Sequence, residues 1–139
     1  MKARVRWHRG VSFIGRSGTG HSMIMDGAAE EGGENLGPRP MEMLLMGLGG
    51  CTAYDVVVIL RKARQNVEDC IVDLSAERAE SVPKVFTRIH LHFVVSGKAL
   101  SETHVKRAIE LSAEKYCSAT LMLAKTAEIT HDYEIIDAA

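Results

Sequence analysis

The feature that most limits what this chain can become is the run PMEMLLMGLGGCTAYDVVVILRKAR, residues 40–64. Residues 43–60 are apolar or small on nearly every side, and the cations Arg61, Lys62 and Arg64 close the run. Proline suits the first helical turn because the N–H it lacks would be unpaired there. Cations at the far end face the negative pole of the helix dipole. A helix that is apolar all round is buried in protein or in lipid. The length just reaches the threshold of about 18 residues for a membrane span. Gly47, Gly49, Gly50 and Asp55 argue against lipid, since a carboxylate inside a span is expensive. The expectation is a central, wholly buried helix of a soluble domain, with no membrane partner.

Each glycine inside that helix costs roughly 0.8–1 kcal/mol relative to alanine. Close approach of another backbone would offset the cost. Gly47, Gly50, Cys51 and Ala53 are the positions where a neighbouring element would meet the turn that holds the thiol. Packing alone explains the glycines; the sharper reading is that Cys51 is held in closely defined surroundings.

At 139 residues the chain reads as one domain, residues 1–139, large enough for a real core. It is 46% hydrophobic and 25% charged, which excludes wholesale disorder. A net charge of −1 gives no reason to expect nucleic acid or an anionic membrane as partner. The start, MKARVRWHRG, lacks the apolar stretch of a secretory signal, so a cytoplasmic protein is expected. The cysteines, Cys51, Cys70 and Cys117, form no C-x-x-C pair. That spacing argues for free or redox-active thiols over a disulfide scaffold or zinc ribbon.

Along the chain, Ala3, Val5 and Trp7 alternate with Lys2, Arg4 and Arg6, the period of a half-buried strand. Residues 11–14 read as a second strand, Gly15-Arg16-Ser17-Gly18 as a turn, and residues 21–26 as a third strand. The glycine-rich, acidic residues 27–38 read as a mobile loop leading to the helix. After the helix, residues 70–76 and 85–95 form a hairpin, the second strand carrying Ile89, Leu91, Phe93 and Val95 on one face. Its other face holds Arg88, His90 and His92. The two histidines lack an evident third ligand, so they read as a solvent-facing pair rather than a metal site. Ser101 caps a helix to about residue 115, Cys117-Ser118 interrupts it, residues 119–124 are helical again, and residues 128–136 are the last strand. The order βββ–α–ββ–α–α–β means an α+β fold with mainly antiparallel sheets packed around the long helix.

A cysteine attacks only as a thiolate, so the cations that could stabilise one matter. Arg16 and Arg39 are candidates, and Cys117 lies near an expected helix N-terminus. Two separated cysteines suit a peroxide reaction, in which one becomes a sulfenic acid and the other condenses with it. The plain alternative is that both simply pack, as free cysteines usually do. Cys70, alternating with Val72 and Leu74, reads as core.

Pro40-Met41-Glu42 through Gly49-Gly50-Cys51-Thr52-Ala53, followed far downstream by Glu114-Lys115-Tyr116-Cys117-Ser118, resembles the OsmC/Ohr superfamily. The likeness covers nearly the whole chain and looks closest to a short OsmC-like branch. It implies an intertwined homodimer with active sites at the subunit interface, and a thiol-dependent peroxidase for organic hydroperoxides. Cys51 would match the peroxidatic cysteine, Cys117 the resolving one, and Arg16 the arginine that holds the thiolate. The resemblance implies reduction by an external dithiol, in the family a lipoylated protein, and no metal or organic cofactor. The sequence departs at one point: the family's glutamate after the proline is Met41 here, and Glu42 lies one residue on, where it would cap the helix if it takes no catalytic part. The rival reading is a non-catalytic dimer that binds a hydrophobic small molecule in the interfacial pocket.

Overall fold

The computed structural model describes residues 1–138. The chain falls into two compact units, Met1–Met46 and Gly47–Ala139.

In the first unit, β1 (Ala3–Arg9), β2 (Ser12–Ser17) and β3 (Ser22–Met25) form an antiparallel sheet in that order. The register pairs Trp7 with Phe13, Val5 with Gly15 and Gly15 with Met23, gathering the large apolar side chains on one face. The expected turn at Gly15-Arg16-Ser17-Gly18 is displaced: β2 runs through Gly15, Arg16 and Ser17, and the chain reverses at residues 18–20. Gly15 pairs on both sides within the ladder, so the glycine does not break the strand.

Residues 27–38 are not the free loop their composition suggested. The Asp26 carboxylate is buried and accepts N–H groups from Gly27 (2.8 Å), Glu34 (3.0 Å) and Leu36 (3.1 Å). These bonds, led by that from Leu36, hold its carboxyl below the ordinary carboxylate value against the opposing effect of burial. One 3-10 turn, Ala29–Glu31, lies inside the loop so anchored.

The long helix α1, Pro40–Lys62, starts where expected. Glu42 accepts the Arg39 N–H at 2.8 Å, satisfying one of the donors left free at a helix start. The helix stops two residues early because Arg64 takes a left-handed conformation (φ 58°) that ends it.

In the second unit, β4 (Asn66–Arg78) pairs antiparallel with β5 (Phe86–Lys98), and β6 (Glu128–Asp137) pairs parallel with β5. This sheet is therefore mixed, and with β5–β6 the one parallel pairing among the described strands the sheets are mainly antiparallel, as expected. Parallel neighbours need a crossover connection, and the helical stretch between β5 and β6 supplies it. Ile89, Leu91, Phe93 and Val95 face the core as their alternation predicts. The crossover begins with α2 (Glu102–Leu111), capped by the Ser101 hydroxyl, which accepts the His104 N–H. A single π turn, Ser112–Tyr116, follows; Cys117 is extended; and α3 (Ser118–Leu123) completes the connection.

Only one stripe of α1 is buried, where burial all round was expected. Leu48, Thr52, Val56 and Leu60, spaced four apart, are within 2% of full burial, while Leu44, Met46 and Tyr54 are exposed. One sheet face covers one helical stripe and no more. The helix is long and apolar enough by composition to cross a membrane, yet this stripe is packed in protein. Close approach occurs at Gly49, where a Cβ would stand 2.8 Å from Leu74 Cδ1. Gly47 and Gly50, the positions expected to be approached, have nothing within 4 Å.

Candidate active site

Cys51 projects from the middle of α1, and Cys117 sits in the extended link between the π turn and α3. The two thiols are near enough for Cys51 to act on the Cys117 proton. Cys117 is fully buried and Cys51 half-buried, so one sulfur is open to a reactant and the other is withheld. Burial pushes the Cys117 thiol up from its ordinary range. The Thr120 hydroxyl and backbone N–H, the latter 3.3 Å from Sγ, pull it part of the way back, and neighbouring Cys51 pushes it up again. Cys117 therefore keeps its proton more firmly than a free thiol does. Cys70 is apart from this pair, opposite Val95 in the β4–β5 ladder; it is half-buried rather than core, and burial raises it too.

Beside the pair lies a buried polar chain that sequence reasoning missed. Ser112 Oγ donates to Asp55 Oδ2 at 2.9 Å and lies 2.7 Å from Thr52 Oγ1. The signal was present: buried polar side chains must be paired, and a threonine inside an apolar helix faced a serine that continues the buried period of α2 one residue past its end. In the sequence Asp55 only argued against lipid, and Ser112 only filled a helical period.

Arg16 and Glu42, the other two expected site residues, each have local surroundings of their own. Arg16 belongs to the first unit, whereas both cysteines belong to the second. It lies directly opposite Arg4 in the β1–β2 ladder, and among the described residues it takes part in no ion pair. Glu42 is exposed and engaged as a helix cap by the Arg39 N–H. His90 and His92 lie on the outer sheet face as expected, and both ring systems meet Asp132 Oδ1, at 3.0 and 2.7 Å. Among the described residues no three or more His, Cys, Asp or Glu are placed to hold a metal ion.

One turn beyond Cys51, a hollow of about 450 Å³ opens between α1 and the π turn. Tyr54, Val58, Ile59, Leu111 and Tyr116 give it mostly apolar walls, with Asp55 and Lys62 at the edge.

The sequence profile of the OsmC-like protein family matches residues 32–132. The chain belongs to the OsmC-like proteins. Protein YhfA of Escherichia coli strain K12 is 52% identical over 138 residues, covering 99% of this chain and 100% of that protein. A hypothetical protein from Aquifex aeolicus superposes with a TM-score of 0.87 at 28% identity, over 99% of this chain and 97% of its own. OhrB of Bacillus subtilis, an organic hydroperoxide resistance protein, superposes at 0.61 with 18% identity, over 96% of each chain, and shares the fold. The OsmC-like α+β architecture is thus that of the family, two open sheets with α1 between them in sequence.

Proposed function

We propose that this OsmC-like protein is a thiol peroxidase for organic hydroperoxides. The observation that carries the reading is the pairing of a half-buried Cys51 with a buried, proton-retaining Cys117 that it lies near enough to influence. The Cys51 thiolate attacks the distal peroxide oxygen; the O–O bond breaks, and the departing alkoxide takes a proton to leave as an alcohol. Cys51 is then a sulfenic acid, and the Cys117 thiol displaces water from it to close a disulfide. An external dithiol, for which the family suggests a lipoylated protein, restores both thiols and leaves as its own disulfide. The apolar hollow beside Cys51 suits the organic group of the substrate. Cys117 is not the attacking sulfur, because burial holds it protonated.

Arg16 is the cation this reading assigns to the thiolate, and its lack of an acidic partner leaves it available for that contact. Glu42 drops out of the catalytic set in favour of capping α1. The reaction then works without the carboxylate that Met41 replaces.

The same reading takes the protein as an intertwined cytoplasmic homodimer. Two apolar faces support it: Val5, Trp7 and Met23 on the β1–β3 sheet are 61%, 67% and 51% exposed, and α1 leaves Leu44, Met46 and Tyr54 open. Faces of this kind are what a second copy covers.

Mass spectrometry after sub-stoichiometric cumene hydroperoxide tests the chemistry. The reading expects a Cys51–Cys117 disulfide in the wild type and an accumulating Cys51 sulfenic acid in Cys117→Ser. Slow oxidation spread evenly over Cys51, Cys70 and Cys117 would overturn it and leave a non-catalytic dimer that binds an apolar ligand in the hollow.

A further inference from the structure

Ser112 stands at the joint between α2 and the π turn, and it is fully buried. A serine hydroxyl has one proton to give. That proton goes to Asp55 Oδ2, so the Thr52 hydroxyl, 2.7 Å away, must donate to Ser112. The Ser112 carbonyl accepts the Cys117 N–H at 2.9 Å. Besides its own N–H bonds back into α2, Ser112 thus makes three further hydrogen bonds. Two reach α1, at the residue that follows Cys51 and at the residue one turn beyond it; the third holds the amide of Cys117.

A disulfide is demanding in its geometry, with a sulfur separation near 2.05 Å and a narrow range of Cα separations. Cys51 lies near enough to act on the Cys117 thiol, and closure to that geometry is sensitive to small displacements of either backbone. The π turn inserts one residue beyond regular helix spacing immediately before Cys117, and such turns recur at functional sites. The Ser112 N–H still bonds to the Ala108 and Ile109 carbonyls, so α2 runs into the turn without a gap, and the side-chain bonds of Ser112 tie that turn to α1.

We infer that Ser112, held by Thr52 and Asp55, is a positioning residue that presents Cys117 to Cys51 for disulfide closure. The inference deepens the peroxidase reading and rests on its assignment of Cys117 as the resolving thiol. Ser112 touches no substrate atom. It acts on the second step, closure, and leaves the attack of Cys51 on peroxide unchanged.

The test uses thiol–disulfide exchange, which requires no peroxidase activity. Reduced full-length protein is equilibrated with mixtures of reduced and oxidised glutathione. Cys51 and Cys117 lose two thiol protons and gain one S–S bond, and one glutathione disulfide becomes two glutathione thiols. The equilibrium constant gives the effective concentration of one cysteine at the other. Ser112→Ala is expected to lower that constant roughly tenfold or more, a shift of about 30 mV for a two-electron couple. Thr52→Val, which breaks the chain from its other end and keeps the Ser112–Asp55 bond, is expected to lower it less, and Thr52→Ser to restore it. Alkylation of Cys51 by iodoacetamide, measured in a Cys117→Ser background, is expected to be the same with and without Ser112→Ala.

A merely structural role would lower the unfolding midpoint of Ser112→Ala and leave the exchange constant unchanged, and that outcome overturns the inference. So does failure of the wild type to form a Cys51–Cys117 disulfide in glutathione. If Ser112→Ala does not fold, Thr52→Val decides alone, an unchanged constant being the refuting result. If exchange behaves as described while no hydroperoxide is consumed, the peroxidase reading falls and the positioning role of Ser112 stands.

Discussion

Gly47 and Gly50 give the account a quantitative test. Each lies inside α1, is exposed, and has nothing within 4 Å of the position a Cβ would take. Leucine is almost as good a helix former as alanine, so Gly→Leu improves each site by roughly 0.8 kcal/mol in an otherwise unaffected helix. In an isolated chain, Gly47→Leu/Gly50→Leu should therefore be stabilising by about 1.6 kcal/mol, summing the same propensity difference over two sites. A second copy packed closely on this face reverses the sign. Over-packing costs about 1–3 kcal/mol at each site, and a dimer carries four such sites, for a cost of about 4–12 kcal/mol against a propensity gain of about 3. Analytical ultracentrifugation with denaturant unfolding at several protein concentrations separates the cases. We expect a dimeric wild type, whose unfolding midpoint rises with concentration, and a variant that sediments as a monomer. Gly49→Ala is the internal control: its new methyl meets Leu74 Cδ1 at 2.8 Å within the same chain, so its effect belongs to the protomer. A doubly substituted protein that stays dimeric and gains stability would refute the placement of the partner on this face.

Three further outcomes follow from single sites. Leu48 is fully buried in the α1 stripe, so Leu48→Ala should cost about 2–5 kcal/mol by chemical denaturation; a loss well under that range would mean the stripe is not core. His92 is raised above its ordinary 6.5, chiefly by its hydrogen bond to Asp132, and Asp132 is lowered below 3.8, chiefly by His92. The His92 contribution to stability is whole below 6.5 and is lost as pH rises through the folded value; that of Asp132 is whole above 3.8 and is lost as pH falls through its own. An NMR titration should place His92 above 6.5 and bring it down in Asp132→Asn, an unmoved midpoint being the contrary result. Asp26 is likewise lowered below 3.8, so its hold on residues 27–38 should persist above 3.8 and fail as pH falls through the folded value. Amide exchange at Glu34 and Leu36 should accelerate over that acid range in the wild type and be fast throughout in Asp26→Ala.

Much of this was legible in the chain because period and punctuation are local. The alternation of Ile89, Leu91, Phe93 and Val95 gave the core face of β5, and Ser101 marked the start of α2. The apolar run from Pro40 gave α1, and the residues around Cys51 and Cys117 gave the family. What failed was what depends on partners distant in sequence. The loop after Asp26 reads as free because its composition carries no trace of one carboxylate gathering three N–H groups. Gly15 reads as a turn unless both neighbouring strands are seen to pair across it. Burial of α1 was overstated because apolarity alone does not say how much of a helix the rest of the chain covers, and here it covers one stripe. The Thr52–Ser112–Asp55 chain joins residues some sixty positions apart. Only the general demand that buried hydroxyls be paired could have hinted at it.

The measurement that bears most directly on the central claim is the rate at which reduced protein consumes cumene hydroperoxide, beside hydrogen peroxide, with dihydrolipoamide as reductant. The account predicts turnover that favours the organic peroxide, vanishes in Cys51→Ser, and stalls after a single turnover in Cys117→Ser. No turnover above that of a free thiol, or equal turnover in Cys51→Ser, would contradict it.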